Sequence, residues 1–125
     1  MLKYYKCLNN FFHESLVSGA VTVEALVEEA KAIIAVKDKD VHAILGMYSD
    51  ALITSQITKA KEMLAKGTAT LLTGVPIVLK DNILVEGEIA TGASKILENY
   101  KAPYDATVTK RLKDAGAILI ARANM

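Results

Sequence analysis

The chain has 125 residues, the length of one ordinary domain, and a chain of this size can bury roughly two thirds of the surface that it exposes when unfolded. Its 15 basic and 14 acidic residues give a net charge of +1 in small mixed groups, so no basic patch indicates nucleic acid or an acidic membrane surface as a partner. Cys7 is the only cysteine, which excludes an intrachain disulfide and favours a reducing compartment, the cytoplasm.

Two further observations limit the class of protein. No segment has the roughly 20 apolar residues that are needed to cross a bilayer, and the amino-terminal residues lack the apolar core of a signal peptide. His13 and His42 are far apart, and neither lies at a ligand spacing from Cys7. We therefore predict a protein without a membrane segment and without a metal site in this chain.

The amino-terminal half has the spacing of amphipathic helices. The first predicted helix ends before Gly19, and Thr22 is a suitable N-cap for the second, which the polar run "KDKD" at 37–40 follows. The predicted buried stripes are Tyr4, Leu8, Phe11, Phe12 and Leu16 in the first helix, and Val23, Leu26, Val27, Ala30, Ile33 and Ile34 in the second.

A short strand and a third helix follow. The run "VHAIL" at 41–45 has the composition of a strand. Ser49 and Asp50 can cap the third helix, and Gly67 is well placed for its C′ position. The predicted buried stripe of this helix is Ile53, Ile57, Ala60 and Leu64.

The second half of the chain has the pattern of a parallel strand–helix–strand unit. The strand from Val75 to Lys80 is apolar on both faces, which predicts a strand covered from both sides. The sequence "DATVTKRLKDAG" then predicts a helix that is capped by Asp105 and stopped by Gly116, and the buried strand "AILIA" follows directly. The predicted buried face of this helix is Val108, Leu112 and Ala115.

The end of the predicted sheet is open. A parallel sheet seldom consists of two or three strands with a bare edge, so we expect residues 1–125 to be the amino-terminal part of a larger single domain. For the same reason we expect that the chain alone is not a stable monomer.

The residues Lys80, Asp81 and Asn82 place polar groups at the carboxyl end of a predicted strand, where open α/β sheets hold their ligand sites. Burial beside apolar neighbours disfavours the ammonium form of a lysine, so a lysine in such a site can accept a proton. The residues alone equally allow a structural interpretation, in which Lys80 ends its strand in a polar turn, pairs with Asp81 and is solvated. The local pattern leaves both interpretations open.

The segment "GEIATGAS" at 87–94 carries a second candidate. The spacing of Gly87 and Gly92 imitates a phosphate-binding loop, but Ala93 and Ser94 stand where that loop requires Lys and then Ser or Thr. We therefore exclude a phosphate loop. Ser94 is the only serine near Lys80 in sequence and remains a candidate nucleophile or pocket-lining residue, although it lies outside any G-x-S-x-G elbow.

Four blocks of the sequence, taken in order, resemble one family. The blocks "LTGVPIVLKDNI", "TGASKILENY", "PYDATVTKRLKDAGAILI" and "ARANM" are similar to the opening of the amidase-signature enzymes, and within that family to the glutaminase (A) subunits of tRNA-dependent amidotransferases. The amino-terminal helices also resemble those of the family. The resemblance implies an α/β amidase-signature fold with a mixed sheet covered by helices, of which this chain is the amino-terminal part.

The same resemblance implies a catalytic role for Lys80. It matches the lysine of a Ser, cis-Ser, Lys triad, which acts through the cis-serine to take the proton of the nucleophilic serine, and Asp81 and Asn82 would support it. The two serines of the family lie in a later Gly/Ser-rich stretch, so we expect the present chain alone to be inactive.

The resemblance further implies the reaction and its partners. Glutamine hydrolysis supplies ammonia to a B subunit, which uses ATP and Mg²⁺ to convert Glu-tRNA(Gln) to Gln-tRNA(Gln), while a small C subunit braces the pair. The present chain would need no cofactor of its own and would meet tRNA only through the partner. Two alternatives stay open: a stand-alone amidase that acts on another carboxamide, and a short non-catalytic binding module.

Overall fold

The computed structural model describes residues 11–125, and the predicted stripe positions Tyr4 and Leu8 lie outside that range. None of the helices in the described residues is both long enough and apolar enough to cross a bilayer. The elements in chain order are helix α1 (residues 11–17), helix α2 (Val23–Val41), strand β1 (Ile44–Met47), helix α3 (Asp50–Ala65), strand β2 (Pro76–Lys80), a 3-10 turn (Lys95–Leu97), helix α4 (Thr107–Asp114) and strand β3 (Ile118–Ala123).

The sheet is mixed, with β3 at its centre. The strand order is β1-β3-β2, in which β2 runs parallel to β3 and β1 runs antiparallel to it. Lys80 pairs with Ala123, and Gly46 of β1 pairs with Arg122. The parallel pairing of β2 with β3, with α4 between them in sequence, confirms the predicted strand–helix–strand unit and the α/β class.

Strand β3 is covered on both faces. Successive side chains of a strand point to opposite faces, and Ile118 and Ile120 belong to one buried cluster while Leu119 belongs to another. The first cluster joins β3 to helices α2 and α3, and its buried members are Leu16, Val23, Leu26, Val27, Ile53, Ala60, Ile118, Ile120 and Ala121. The second consists of Tyr48, Leu79, Val85 and Leu119.

Strand β2 is less buried than we predicted. Val78 is 37% exposed, and within β2 only Leu79 is buried. The prediction of a strand covered on both sides is therefore correct for β3 and wrong for β2. The physical reason is position, because β2 is an edge strand in this three-stranded order.

Helix α2 begins where the sequence predicted and continues further. The hydroxyl of Thr22 accepts a hydrogen bond from the backbone N–H of Ala25 at 3.2 Å, which confirms the N-cap. The polar run at 37–40 is helical, and the helix ends at Val41, followed by the C-cap His42, whose φ of 53° is left-handed. The predicted strand at 41–45 therefore had the wrong bounds, and β1 begins three residues later than expected.

Helix α3 matches its prediction at both ends. The hydroxyl of Ser49 accepts from the N–H of Leu52, and Gly67 follows the C-cap with a φ of 69°. Of the predicted stripe, Ile53 and Ala60 are buried, while Ile57 and Leu64 are partly buried against the same cluster.

Helix α4 differs from its prediction at its start. Its N-cap is Ala106, because the carboxylate of Asp105 instead accepts hydrogen bonds from the N–H of Glu86 and from Lys113. Thr109 is fully buried and its hydroxyl donates to the carbonyl of Leu84. Of the predicted face, Leu112 is partly buried against the second cluster, whereas Val108 is exposed. As predicted, a glycine ends the helix.

Some predicted core positions are exposed. Phe11 is 64% exposed, Ile33 is 50% exposed and Val108 is 45% exposed. For Val108 the reason is that the buried face of α4 passes through Thr109 and Leu112. In all three cases a periodic pattern identified a helix correctly but assigned too wide a buried stripe.

Candidate functional site

The candidate site begins at Lys80, the last residue of β2. Lys80 is exposed, whereas Leu79 before it and Asp81 after it are buried. The carbonyl of Lys80 accepts a hydrogen bond from the N–H of Ile83 at 2.9 Å, which closes a tight turn through Asp81 and Asn82. The lysine therefore leaves the sheet at the carboxyl end of a strand whose partner β3 is parallel to it, as the sequence predicted. The expected burial of Lys80 beside apolar neighbours is wrong for the described residues, because Leu79 and Asp81 occupy the buried side of the chain and Lys80 lies on the other.

Asp81 is the most constrained residue of this turn. It is 1% exposed, and its Oδ1 lies 2.5 Å from Nη1 of Arg122 on β3. The hydroxyl of Thr91 donates a hydrogen bond to the other carboxylate oxygen. The structural interpretation is correct in placing Lys80 in an exposed turn and wrong in pairing it with Asp81, because Arg122 takes that place in the described residues.

The charge of Asp81 is stabilised despite its burial. Burial alone would raise the pKa of Asp81, but hydrogen bonds from Thr91 and Arg122, together with the positive charge of the guanidinium, hold this pKa below its usual range. The carboxylate is therefore ionised at neutral pH and only accepts hydrogen bonds.

The backbone of Asp81 is held as firmly as its side chain. Its N–H donates to the carbonyl of Ala123 at 3.0 Å, which continues the pairing of β2 and β3 by one residue. Its carbonyl accepts from the N–H of Gly92 at 3.2 Å. Two distant segments, the end of β3 and residues 91–92, are thus joined to the turn at Asp81. Asn82, the other predicted supporting residue, is exposed.

Ser94 is not the residue of its segment that contacts this turn. It is partly buried and precedes the 3-10 turn, and it lines a shallow depression with Thr91, Ala93, Lys95 and Glu98. The contact with Asp81 is made by Thr91 instead. In the described residues the segment therefore supports the turn through a threonine, and no side-chain hydrogen bond links Ser94 to Lys80.

Sequence reasoning missed Arg122 and Thr91. A signal for Arg122 was present, because an arginine in the apolar strand "AILIARA" needs a partner if it is buried, and Asp81 follows the parallel strand. Thr91 gave no comparable signal, since its contact depends on the path of a long loop. No cluster of histidine, cysteine and carboxylate residues able to hold a metal ion occurs between residues 11 and 125.

Comparison with known proteins identifies the family. The sequence model of the Amidase family matches residues 25–125. The chain is 42% identical over 126 aligned residues to the A subunit of glutamyl-tRNA(Gln) amidotransferase from Lacticaseibacillus paracasei, covering 99% of this chain and 25% of the relative. It is 38% identical over 114 residues to the protein of the same name from Microcystis aeruginosa, covering 90% of this chain and 23% of the relative.

A solved structure gives the same result for the fold. The native peptide amidase from Stenotrophomonas maltophilia superposes with a TM-score of 0.81 at 25% sequence identity, and the match covers 91% of this chain and 24% of that one. The chain belongs to the amidase family and has the amidase-signature fold. It spans about a quarter of the length of the curated relatives that it matches.

Proposed function

We propose that this chain supplies the catalytic lysine, Lys80, of the glutamine-hydrolysing subunit of a tRNA-dependent amidotransferase. The observation that carries the proposal is the position of Lys80, exposed at the carboxyl end of β2 on a turn that Asp81 and its partners hold in place. The relatives from L. paracasei and M. aeruginosa, both named as the A subunit of glutamyl-tRNA(Gln) amidotransferase, support the choice of reaction.

The proposed chemistry is hydrolysis through an acyl-enzyme. A serine hydroxyl attacks the side-chain amide carbon of glutamine, and its proton passes through the hydroxyl of a second serine to Lys80, the base of the proposed mechanism. The protonated lysine returns the proton to the departing nitrogen, so that ammonia leaves and an ester remains. Water then cleaves the ester to glutamate and restores the serine.

The proposal assigns the two serines to a segment outside these residues, and residues 1–125 to the amino-terminal part of one amidase-signature domain. Ammonia would pass to a B subunit, which uses ATP and Mg²⁺ to amidate Glu-tRNA(Gln), with a C subunit bracing the pair. The exposure of Lys80 fits this division, because a lysine that works with groups from another segment must be accessible to them.

The test uses the full-length gene product, meaning the whole polypeptide encoded by the open reading frame that contains these 125 codons. The measurement is the release of ammonia from glutamine, with and without partner subunits. A general base contributes typically about 10²- to 10⁴-fold to a rate, so Lys80→Ala is expected to lose about that factor.

The matched control is Lys110→Ala, which removes an exposed lysine from helix α4 and should leave the rate unchanged. Glutamine hydrolysis by Lys80→Ala at the rate of the control would contradict the proposal, and so would a folded wild-type product that releases no ammonia.

A second candidate, a stand-alone amidase, is favoured by the structural match to a peptide amidase. The two candidates differ in substrate and in dependence on partners. Hydrolysis of peptide amides in preference to glutamine, unaffected by B and C subunits, would select the stand-alone enzyme. Both candidates assign the same role to Lys80.

A further inference from the structure

Three segments of the chain meet at the turn that follows Lys80, and Arg122 of β3 is one of the groups that hold them there. We propose that Arg122 is a positioning residue for Lys80: it holds the carboxylate of Asp81 and thereby sets the direction in which the lysine leaves β2. This inference rests on the proposed function, in which Lys80 transfers a proton.

Both oxygens of the Asp81 carboxylate have partners from other segments. Arg122 Nη1 lies 2.5 Å from Oδ1, and the Thr91 hydroxyl donates to Oδ2. The side chain of Asp81 is 0% exposed and that of Arg122 is 14% exposed. A carboxylate that is held at both oxygens and shielded from water has one orientation, because charge-assisted hydrogen bonds strengthen when water is excluded.

The orientation of Asp81 determines that of its neighbour. Side chains alternate between the two faces of a strand, and the N–H of Asp81 still pairs with the carbonyl of Ala123. Leu79 and Asp81 are both buried, and Lys80 between them is exposed. Fixing the carboxylate on one side of the strand therefore fixes the direction in which the Lys80 side chain leaves the strand on the other side.

Strand β1 is shaped to admit the guanidinium. Gly46 pairs with Arg122 in the sheet, and a Cβ at Gly46 would lie 3.3 Å from Nη2 of the arginine. An alanine there would push the guanidinium by a few tenths of an ångström. Gly46→Ala is thus a mild probe, since it keeps every charge of the network and shifts its geometry.

An ion pair is a poor choice for stability alone. Buried pairs can often be replaced by apolar side chains with no loss of stability, because desolvation of the charges offsets their attraction. The pair does impose one geometry, which an apolar contact would not. Apolar residues could fill the positions of Asp81 and Arg122. The presence of a charged pair there is explained by its role in orienting the turn beside a catalytic lysine.

The test compares kinetic constants of the full-length gene product for glutamine hydrolysis. Arg122→Met is expected to lower kcat by about 10²-fold, the cost of an ångström-scale misplacement of a reacting group, and to leave KM within a factor of about 3. Arg122→Lys keeps the charge and should recover part of kcat, while Gly46→Ala should lie between Arg122→Lys and wild type.

The matched control is Asp105→Asn, which removes the charge from the other aspartate ion pair of the same strand–helix–strand unit, Asp105–Lys113 at 2.8 Å. A merely structural role predicts a lower melting temperature for Arg122→Met with kcat equal to that of Asp105→Asn below the melt. That result would overturn the positioning role.

A second measurement decides the matter if Arg122→Met does not fold. Thr91→Val removes the hydroxyl that donates to Asp81 and accepts from the N–H of Ala93, and amide hydrogen exchange can follow residues 80–92 in this variant. We expect the N–H groups of Asp81 and Gly92 to exchange about tenfold faster than in wild type while those of β3 stay protected. Unchanged exchange at both amides together with unchanged kcat would contradict the proposal.

Failure of this inference is distinguishable from failure of the proposed function. If Lys80→Ala retains wild-type activity, the proposed function is wrong, whatever the Arg122 variants do. If Lys80→Ala is inactive and Arg122→Met has the kcat of the Asp105→Asn control, the function stands and the positioning role is wrong.

Discussion

Two ion pairs of the β2–α4–β3 unit use the same chemistry in different surroundings. The pair Asp81–Arg122 has side chains that are 0% and 14% exposed, whereas Asp105 and Lys113 are 18% and 21% exposed. Each aspartate also accepts a further hydrogen bond, from the Thr91 hydroxyl or from a backbone N–H. The first pair fixes the turn beside Lys80, and the second anchors the start of helix α4 to a loop.

The difference in burial predicts which properties change when each pair is broken. When the partly exposed pair is broken, water can solvate the charge that remains. Breaking this pair should therefore cost only a small amount of stability. A charge left at the buried pair has no such replacement, and the backbone that it held belongs to the candidate site. We expect the buried pair to affect both stability and activity, and the other pair to affect stability alone.

The largest expected effect on stability is that of Arg122→Met. Removal of one partner leaves the Asp81 carboxylate buried and uncompensated, which should lower the free energy of unfolding by about 3–5 kcal/mol. Asp105→Asn should cost about 1 kcal/mol, because its partner Lys113 can reach water. Urea unfolding of the full-length gene product measures both, and equal losses would remove the distinction between the pairs.

The pH dependence of stability should separate the pairs further. Hydrogen bonds and the guanidinium lower the pKa of Asp81 in the folded state, so its contribution is present above its ordinary pKa of about 4 and is lost as the pH falls through the lowered value. The advantage of wild type over Asp81→Asn should therefore be full at neutral pH and shrink in acid.

The predicted loss of this contribution in acid is tested by melting temperatures measured between pH 7 and pH 2, at intervals of about one pH unit. The variant Asp105→Asn serves as the control, because it keeps Asp81 and should therefore keep the part of the stability that Asp81 contributes and that is lost in acid. A difference between wild type and Asp81→Asn that stays constant down to the lowest pH would contradict it.

A smaller effect is expected at Tyr48, which packs on Leu79 in the same buried cluster. Burial raises the pKa of Tyr48 to about 12, and no group of the described residues forms a hydrogen bond with its hydroxyl. Tyr48→Phe removes a buried polar group without a partner and should raise stability by about 1 kcal/mol.

The alkaline limb of the stability curve provides the readout for Tyr48. Its neutral form is favoured in the folded state, so this contribution is complete below the ordinary tyrosine pKa of about 10 and is lost as the pH rises towards about 12. Tyr48→Phe should flatten the curve in that window. A variant that is less stable than wild type at neutral pH would indicate that the hydroxyl has a partner.

The sequence predicted the elements better than it predicted the site. Helix caps at Thr22 and Ser49, and the parallel pairing of β2 with β3, follow from local chemistry and period, and the structure confirms them. Asp105 was misassigned as a cap because a carboxylate one residue too early can bond a loop instead.

The partners of Asp81 could not be predicted in the same way. Thr91 reaches it from ten residues away in sequence, and Arg122 reaches it across the sheet from 41 residues away. Such contacts depend on the tertiary path of the chain rather than on any local pattern. The only available signal was that a charged residue, if buried, needs a partner of opposite charge. This signal does not say which residue the partner is.

The most direct test of the account is a comparison of Lys80→Arg with Lys80→Ala in the full-length gene product. Arginine keeps the positive charge but does not give up its proton at accessible pH, so a proton acceptor at this position is lost in both variants. We predict that both release ammonia from glutamine about 10²- to 10⁴-fold more slowly than wild type. Substantial activity of Lys80→Arg beside an inactive Lys80→Ala would show that position 80 requires only a charge, and the catalytic role would be contradicted.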